Sequence, residues 1–246
     1  MEPDTSIGDD PGDDEAARLS KNGRRAHPTR LRFVFDCSGS MYDADRAGKA
    51  IALALCSLIS VRYTFNRIDR RLERLQELAL FVFEALAGLE DEYDYSVVCH
   101  SGNGPEAEEF VKWGGPSTKP KTPRDRWRLC QAMAAHAQYC SPGDHTLDGT
   151  AAAIANVARL PADERFVFLI SDADLKRYGI SPARWNDLLT RDPRVQAFVL
   201  LISSNEREAD DIKAAVDPGR AYVCFDAARL AATFKEIFAA RVLKLI

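Results

Sequence analysis

The sequence lacks any apolar run of about 20 residues, which is the length that a transmembrane helix requires. Its longest apolar stretch, Ala50 to Val61, is too short to cross a bilayer. A broad basic surface is lacking too, since 33 lysines and arginines face 37 acids and the formal net charge is −4. We therefore expect neither a membrane span nor nucleic-acid binding.

Paired cysteines are missing as well. The six cysteines form no C-x-x-C pair and do not cluster as zinc ligands do. Most lie inside apolar runs, where a reduced, buried thiol is the common state. An intracellular, reducing environment is expected, with disulfides as the minor alternative. The cysteines are Cys37, Cys56, Cys99, Cys130, Cys140 and Cys224.

The first 30 residues have almost no large apolar side chains and change from acidic to basic. Such a stretch buries too little surface to offset its ordering entropy, so residues 1–30 are predicted to be a disordered linker and 31–246 the folded domain. The acidic start fits neither a signal peptide nor a mitochondrial presequence, which is poor in acids. The acids are Glu2, Asp4, Asp9, Asp10, Asp13, Asp14 and Glu15.

From Leu31 onward, short apolar runs alternate with longer helix-like segments. Runs such as FVFLI are typical of strands covered on both faces. The alternation predicts a doubly wound α/β fold with a mostly parallel six-stranded sheet, one antiparallel edge strand (109–113) and helices on both faces. The predicted strands are 31–36, 95–100, 109–113, 165–171, 195–203 and 221–225; the predicted helices are 71–89, 124–139, 149–159, 182–190, 207–216 and 227–243.

Oxygen-bearing side chains follow the ends of several predicted elements. The first strand runs into the sequence D-C-S-G-S, a later strand is followed by an aspartate, and one helix is preceded by a threonine-containing loop. In an open α/β sheet, ligands bind beyond the carboxyl ends of the strands. Mg²⁺ prefers oxygen ligands in octahedral geometry, so a site for Mg²⁺ or Mn²⁺ is predicted. The predicted ligands are Asp36, Ser38, Ser40, Thr146 and Asp172.

This set resembles the metal-ion-dependent adhesion site of von Willebrand factor A domains, which is D-x-S-x-S, a threonine, and an aspartate after the fourth main strand. All five positions are filled in the family's order. The resemblance is closer to the C-terminal domain of the von Willebrand factor A domain-containing protein 8 family, from Leu31 nearly to the C-terminus. It is carried by SGSMY, YTFN, RLERL, HSGNG, HAQYC, GDHTLDGT, LISDADLKRYGI and LTRDP.

The resemblance implies a protein-binding module. In A domains an Asp or Glu of the partner takes an open position on the metal, and the final helix, here 227–243, shifts as the metal loops rearrange. In the resembled branch the A domain follows AAA+ ATPase modules and is assigned to mitochondria. We therefore expect a partner- or substrate-recognition domain associated with an AAA+ ATPase, mitochondrial or alternatively cytoplasmic. The chain has no G-x-x-x-x-G-K-[ST] motif, so it is not expected to be an enzyme.

One segment departs from that branch. In the family, SGSMY continues almost directly into the segment that contains FN, whereas here residues 43–62 intervene and include AIALALCSLISV. Two interpretations stay open. In the first, the segment is an insertion that projects beside the metal. In the second, it is translated non-coding sequence from a faulty gene model. The second is slightly favoured, because an all-apolar helix at the surface of a real domain would promote aggregation.

Other polar residues near the predicted ligands are expected to orient them or to face a partner. Thr150 is a weaker candidate than Thr146, because one turn into the helix it would pack or bond to the backbone. His136 is expected to pack or to lie at the surface. The neighbouring set is Cys37, Gly39, His100, Ser101, His145, Asp148 and Asp174.

Three other functions are alternatives. The domain could be a structural one that a metal stabilises, or a truncated fragment without independent activity. A serine hydrolase built on Ser38 is weaker still, because G-x-S-x-G is absent and a carboxylate two residues away disfavours an alkoxide. A basic cluster is expected to be a solvated loop and helix start, with docking of an acidic partner as the alternative; it consists of Lys119, Lys121, Arg124, Arg126 and Arg128.

Overall fold

The computed structural model describes residues 27–38, 41, 71–101, 108–113, 120–139, 146–171, 181–202, 206–224 and 229–242. The predicted segment 43–62 lies outside these ranges. The strands are β1 (Thr29–Asp36), β2 (Tyr93–Ser101), β3 (Glu108–Trp113), β4 (Arg165–Ser171), β5 (Gln196–Ile202) and β6 (Ala221–Cys224). The helices are α1 (Arg71–Ala85), α2 (Pro123–Tyr139), α3 (Thr146–Ala158), α4 (Pro182–Leu189), α5 (Glu206–Ala215) and α6 (Leu230–Arg241).

The strands form one sheet in the order β3-β2-β1-β4-β5-β6. Neighbouring strands are parallel except β3, which runs antiparallel to β2 at the edge. The predicted doubly wound fold with one antiparallel edge strand is confirmed. The order reverses at β1, whose neighbours are β2 and β4, and ligands of open α/β sheets bind beyond the strand ends at such a reversal.

Several predicted boundaries differ from the observed ones, and two examples show the reasons. Strand β1 begins at Thr29, two residues before the predicted domain start, because Thr29 and Arg30 pair with Tyr93 and Asp94 of β2. Helix α1 ends at Ala85, four residues before its predicted end, and the chain then turns through Gly88 at φ 82. A positive φ of this kind suits glycine because it has no Cβ.

The two faces of the sheet carry different cores. On one face Phe33 and Phe168 of the sheet pack against α1, α2 and α6, and α6 contributes Phe234 to this core. The Phe33 and Phe168 rings stack at 5.5 Å, and the Phe234 ring meets Phe168 edge-on at 5.5 Å. On the other face α3 and α4 cover aliphatic residues such as Val34 and Val199. Because side chains alternate along a strand, residues 33 and 34 belong to opposite cores.

No helix in the described ranges combines the length and apolar character needed to cross a membrane.

Candidate metal site

Asp36 is the last residue of β1, and its side chain is only 3% exposed. One carboxylate oxygen, Oδ1, accepts a hydrogen bond from the backbone N–H of Ser38 at 2.9 Å. The other, Oδ2, accepts one from the hydroxyl of Ser171 at 2.7 Å. Both donors are neutral groups, and the two bonds together orient the carboxylate.

The turn after Asp36 is tied to its surroundings by backbone bonds. The Cys37 N–H donates to the carbonyl of His100 at 3.0 Å, and the Met41 N–H donates to the carbonyl of Ser38 at 3.2 Å. The side chains of Cys37 and Met41 are fully buried in the aromatic core. Ser38 is therefore held close to the end of β1, and it is 7% exposed.

The first turn of α3 covers the neighbouring strand end. Thr146 is the first residue of α3 and is fully buried. Gly149 lies against the His100 ring, since a Cβ added at Gly149 would lie 3.2 Å from the His100 Cγ. His100 is the register partner of Asp36 across β1 and β2. The α3 turn is thus positioned through His100 beside the end of β1.

Two further polar residues lie behind this edge. A ring nitrogen of His136, on α2, lies 2.9 Å from the Ser101 hydroxyl at the end of β2. Both side chains are buried. Burial, and next the charge of His100, lower the pKa of His136 below its usual 6.5. The His136–Ser101 pair consequently fastens α2 to the sheet with a neutral imidazole at neutral pH.

The predicted site residues divide into two groups. The structure brings Asp36, Ser38, Thr146 and the neighbours Cys37, His100 and Ser101 to one end of the sheet, all buried. Asp148 is exposed. Thr150 donates to the Thr146 carbonyl at 2.7 Å, as its position in the helix suggested. The predicted residues outside the described ranges are Gly39, Ser40, His145, Asp172 and Asp174.

Sequence reasoning missed Ser171 as a partner of Asp36. Its position at the end of an apolar strand, one residue before the predicted ligand Asp172, was the available signal. The pairing of His136 with Ser101 was also missed, because a helical histidine gives no indication of which strand end it reaches.

The donor chemistry of the described residues suits a hard cation. A buried carboxylate and two buried hydroxyl-bearing residues, Ser38 and Thr146, gather at the edge where β1 ends. Mg²⁺ and Mn²⁺ prefer such oxygen ligands.

The chain was compared with known proteins. It matches no family model. It is 36% identical over 219 residues to von Willebrand factor A domain-containing protein 8 of Mus musculus, which covers 89% of this chain and 10% of the relative. The chain thus spans about a tenth of the length of that relative.

Solved structures show the same fold at low identity. The pilus adhesin SpaC of Lactobacillus rhamnosus GG aligns with a TM-score of 0.55 at 11% identity, over 87% of this chain and 30% of its own. Proximal thread matrix protein 1 from the mussel byssus aligns with a TM-score of 0.53 at 10% identity, over 86% of this chain and 46% of its own.

The doubly wound sheet and the sequence relationship together define the class: the chain contains a von Willebrand factor A domain. Within that class it is homologous to the mouse von Willebrand factor A domain-containing protein 8, in agreement with the closer resemblance found in the sequence motifs.

Proposed function

We propose that this domain binds a divalent cation, Mg²⁺ or Mn²⁺, at the carboxyl end of its sheet and through it an acidic residue of a protein partner. The observation that carries the proposal is Asp36, which is 3% exposed and has both carboxylate oxygens held by hydrogen bonds. The proposed ligands are Asp36, Ser38, Ser40, Thr146 and Asp172.

The described residues prepare this site in advance. The Ser171 hydroxyl and the Ser38 N–H fix the orientation of the Asp36 carboxylate. The turn that carries Ser38 is anchored to β2 through the Cys37 N–H. Ligands fixed by such surrounding bonds lose little freedom on binding. The cation itself supplies a positive charge that a carboxylate of the partner can approach.

Helix α6 is the element that we propose to respond to binding. Its Phe234 ring lies edge-on to Phe33 at 5.8 Å and to Phe168 at 5.5 Å. Phe33 lies three residues before Asp36 on β1, so a change at the strand end reaches α6 through packed rings. Interlocked cores transmit displacements of this kind.

The partner is proposed to be a protein handled by AAA+ ATPase modules, whether on the same polypeptide or on another. The resemblance of the sequence motifs to a branch in which the A domain follows AAA+ ATPase modules supports this proposal. We propose an intracellular location, mitochondrial in preference to cytoplasmic. Fractionation of cells that express a tagged chain would test the location.

Metal binding is tested by thermal unfolding of the full chain in EDTA and then with added Mg²⁺ or Mn²⁺. A ligand at a hundredfold excess over its dissociation constant stabilises the native state by roughly 2.7 kcal/mol. We expect this gain in the wild type and its loss in Asp36→Asn. Asp187→Asn is the matched control because Asp187 is exposed on α4 and is not among the proposed site residues; it should keep the gain.

Thr146→Val provides a second, nearly isosteric change and should also reduce the gain. A metal response of equal size in the wild type, Asp36→Asn and Thr146→Val would overturn the proposed site. The partner role is tested separately. Capture of a partner should require the cation and should fail for Asp36→Asn, and stabilisation without metal-dependent capture would favour a purely structural metal.

A further inference from the structure

We propose that the acidic stretch of this chain, residues 2–15, binds to an exposed basic face of α2. The α2 basic face is defined by Arg124, Trp127, Arg128 and Gln131. It lies away from the candidate metal site, and nothing in the proposed metal binding uses it.

Helical geometry places the α2 basic face opposite the core. Leu129 and Met133 of α2 are buried in the aromatic core. At 100° per residue, Trp127 points about 200° away from Leu129, and Arg124 lies within about 60° of Trp127. Trp127 is 65% exposed, whereas Leu89 and Leu160, the other exposed large hydrophobic residues in the part of the chain that the structure describes, are 37% and 39% exposed. A tryptophan side chain this exposed, with an arginine on each side, is a suitable surface for another segment to bind.

The positive charge of this face is only partly balanced locally. Asp125 is tied to the helix start, because the Thr122 N–H donates to its carboxylate at 3.0 Å and the Asp125 N–H donates to the Thr122 hydroxyl at 3.2 Å. Arg126 is paired with Glu84 of α1. Arg128 is attracted to Asp125 across one helical turn, whereas the side chains of Lys121 and Arg124 form no hydrogen bond or ion pair within the described residues; all three basic residues are exposed.

The α2 basic face lies toward the end of the sheet where the described chain begins. Arg126 pairs with Glu84 near the end of α1, just before the chain enters β2 at Tyr93. Tyr93 is the register partner of Thr29, the first residue of β1. His136, at the other end of α2, instead reaches the carboxyl end of β2.

The connecting chain is long enough for this contact. Glu15 lies twelve positions before His27, whose N–H is bonded to Asp163. Twelve extended residues reach at most about 40 Å. A domain of this size has a radius of gyration of roughly 17 Å. The stretch can therefore reach α2, at the effective concentration, commonly millimolar, that a short tether provides.

The charges of the two segments are complementary. Residues 2–15 contain seven acids and no lysine or arginine. The turn 90–92, at the same end of the sheet, is exposed and acidic, so it would repel the stretch. The α2 basic face offers attraction to the acids and an apolar ring for Ile7, the one large aliphatic residue among them.

The contact is tested by fluorine NMR of the full chain labelled with 5-fluorotryptophan. The chain has three tryptophans, and Trp127→Phe identifies the resonance of Trp127. Because 1 M salt shortens the screening length to about 3 Å, salt should release the stretch and shift this resonance. Neutralising Asp9, Asp10, Asp13 and Asp14 to asparagine should give the high-salt shift already at low salt, while Glu90→Gln with Asp91→Asn should not.

A reciprocal pair of variants tests the other partner. Arg124→Gln with Arg128→Gln should abolish the salt response of Trp127, and Arg184→Gln with Arg191→Gln, exposed on and after α4, should retain it. An identical Trp127 shift in the wild type and the asparagine variant at low salt would overturn the proposal. A salt response that grows with protein concentration would assign the contact to a second copy and would overturn it too.

Discussion

The two ends of the sheet differ in how their polar side chains are exposed and paired. At the amino end, charges pair at or near the surface, as in Arg30 with Asp94 and Arg126 with Glu84. At the carboxyl end, polar side chains are buried and hydrogen-bonded to one another, as in Asp36 with Ser171 and His136 with Ser101. Both ends belong to the same parallel strands, so the strands themselves do not explain the difference.

The comparison indicates where function constrains this domain. Exposed ion pairs contribute about 0–1 kcal/mol and are readily replaced. A buried polar group that loses its partner costs about 1–3 kcal/mol, so burial of a carboxylate is kept where it serves a purpose. The carboxyl end should therefore be sensitive to substitution and the amino end tolerant.

The largest effect is expected for Ser171→Ala. This change removes the hydroxyl donor to Oδ2 of the buried Asp36 carboxylate, and hydrogen bonds to charged groups contribute about 1.5–3 kcal/mol. We expect a loss of that size in the free energy of unfolding in EDTA, measured with urea. Ser181→Ala is the control, because the exposed Ser181 precedes α4 without a side-chain capping bond. If both variants lost the same free energy of unfolding, buried polar groups would be no more sensitive to substitution than exposed ones, which would contradict the proposed difference.

Two glycines, one at each end of the sheet, provide the second test of this difference in tolerance to substitution. Gly149→Val should cost about 2 kcal/mol, since its Cβ would press on the buried His100 ring and overpacking costs about 1–3 kcal/mol. It should also weaken the metal response, because Thr146 lies on the same turn. Gly88→Ala, at the amino end, has open space but a φ of 82, so a smaller loss of about 1 kcal/mol is expected. Urea unfolding with and without Mg²⁺ measures both, and a metal response unchanged in Gly149→Val would contradict the coupling.

The pH dependence of stability offers a third test. The pKa of His136 is lowered in the folded state by burial and by His100, so the unfolded chain binds more protons below its usual pKa of 6.5. The free energy of unfolding should consequently fall as the pH drops below about 6.5. Urea titrations at pH 7.5 and 5.5 should show a smaller drop for His136→Gln than for the wild type. His27→Gln, exposed at the amino end, should leave the drop unchanged; an equal effect of both would refute this assignment.

The sequence predicted the fold well because its strands are nearly continuous apolar runs. The start of β1 was placed late because Thr29 and Arg30 look like linker residues, and only pairing with β2 includes them in the sheet. Helix α3 was predicted to begin at Gly149 and begins at Thr146, because the first turn contains polar residues that do not follow the apolar periodicity.

Only the part of the candidate site that lies at a single strand end could be predicted from the sequence. The spacing of Asp36 and Ser38 indicated an oxygen-rich turn, and the structure places both at the end of β1. That Ser171 bonds to Asp36 depends on β4 lying beside β1, and strand order is set by packing of the whole chain. The contact of Gly149 with His100 likewise depends on how closely α3 approaches the sheet.

The smallest effect is expected at the amino end. Asp94→Asn removes the charge that pairs with Arg30, whose side chain keeps its bond to the Pro161 carbonyl at 3.0 Å. Because the Asp94 side chain is 40% exposed, water can replace the lost partner, and the loss should stay below about 1 kcal/mol and shrink further in 1 M salt. Urea unfolding at low and high salt measures it. A loss as large as that of Ser171→Ala would mean that surface pairs at the amino end constrain the fold as strongly as the buried carboxylate does, and the contrast between the two ends would then have to be abandoned.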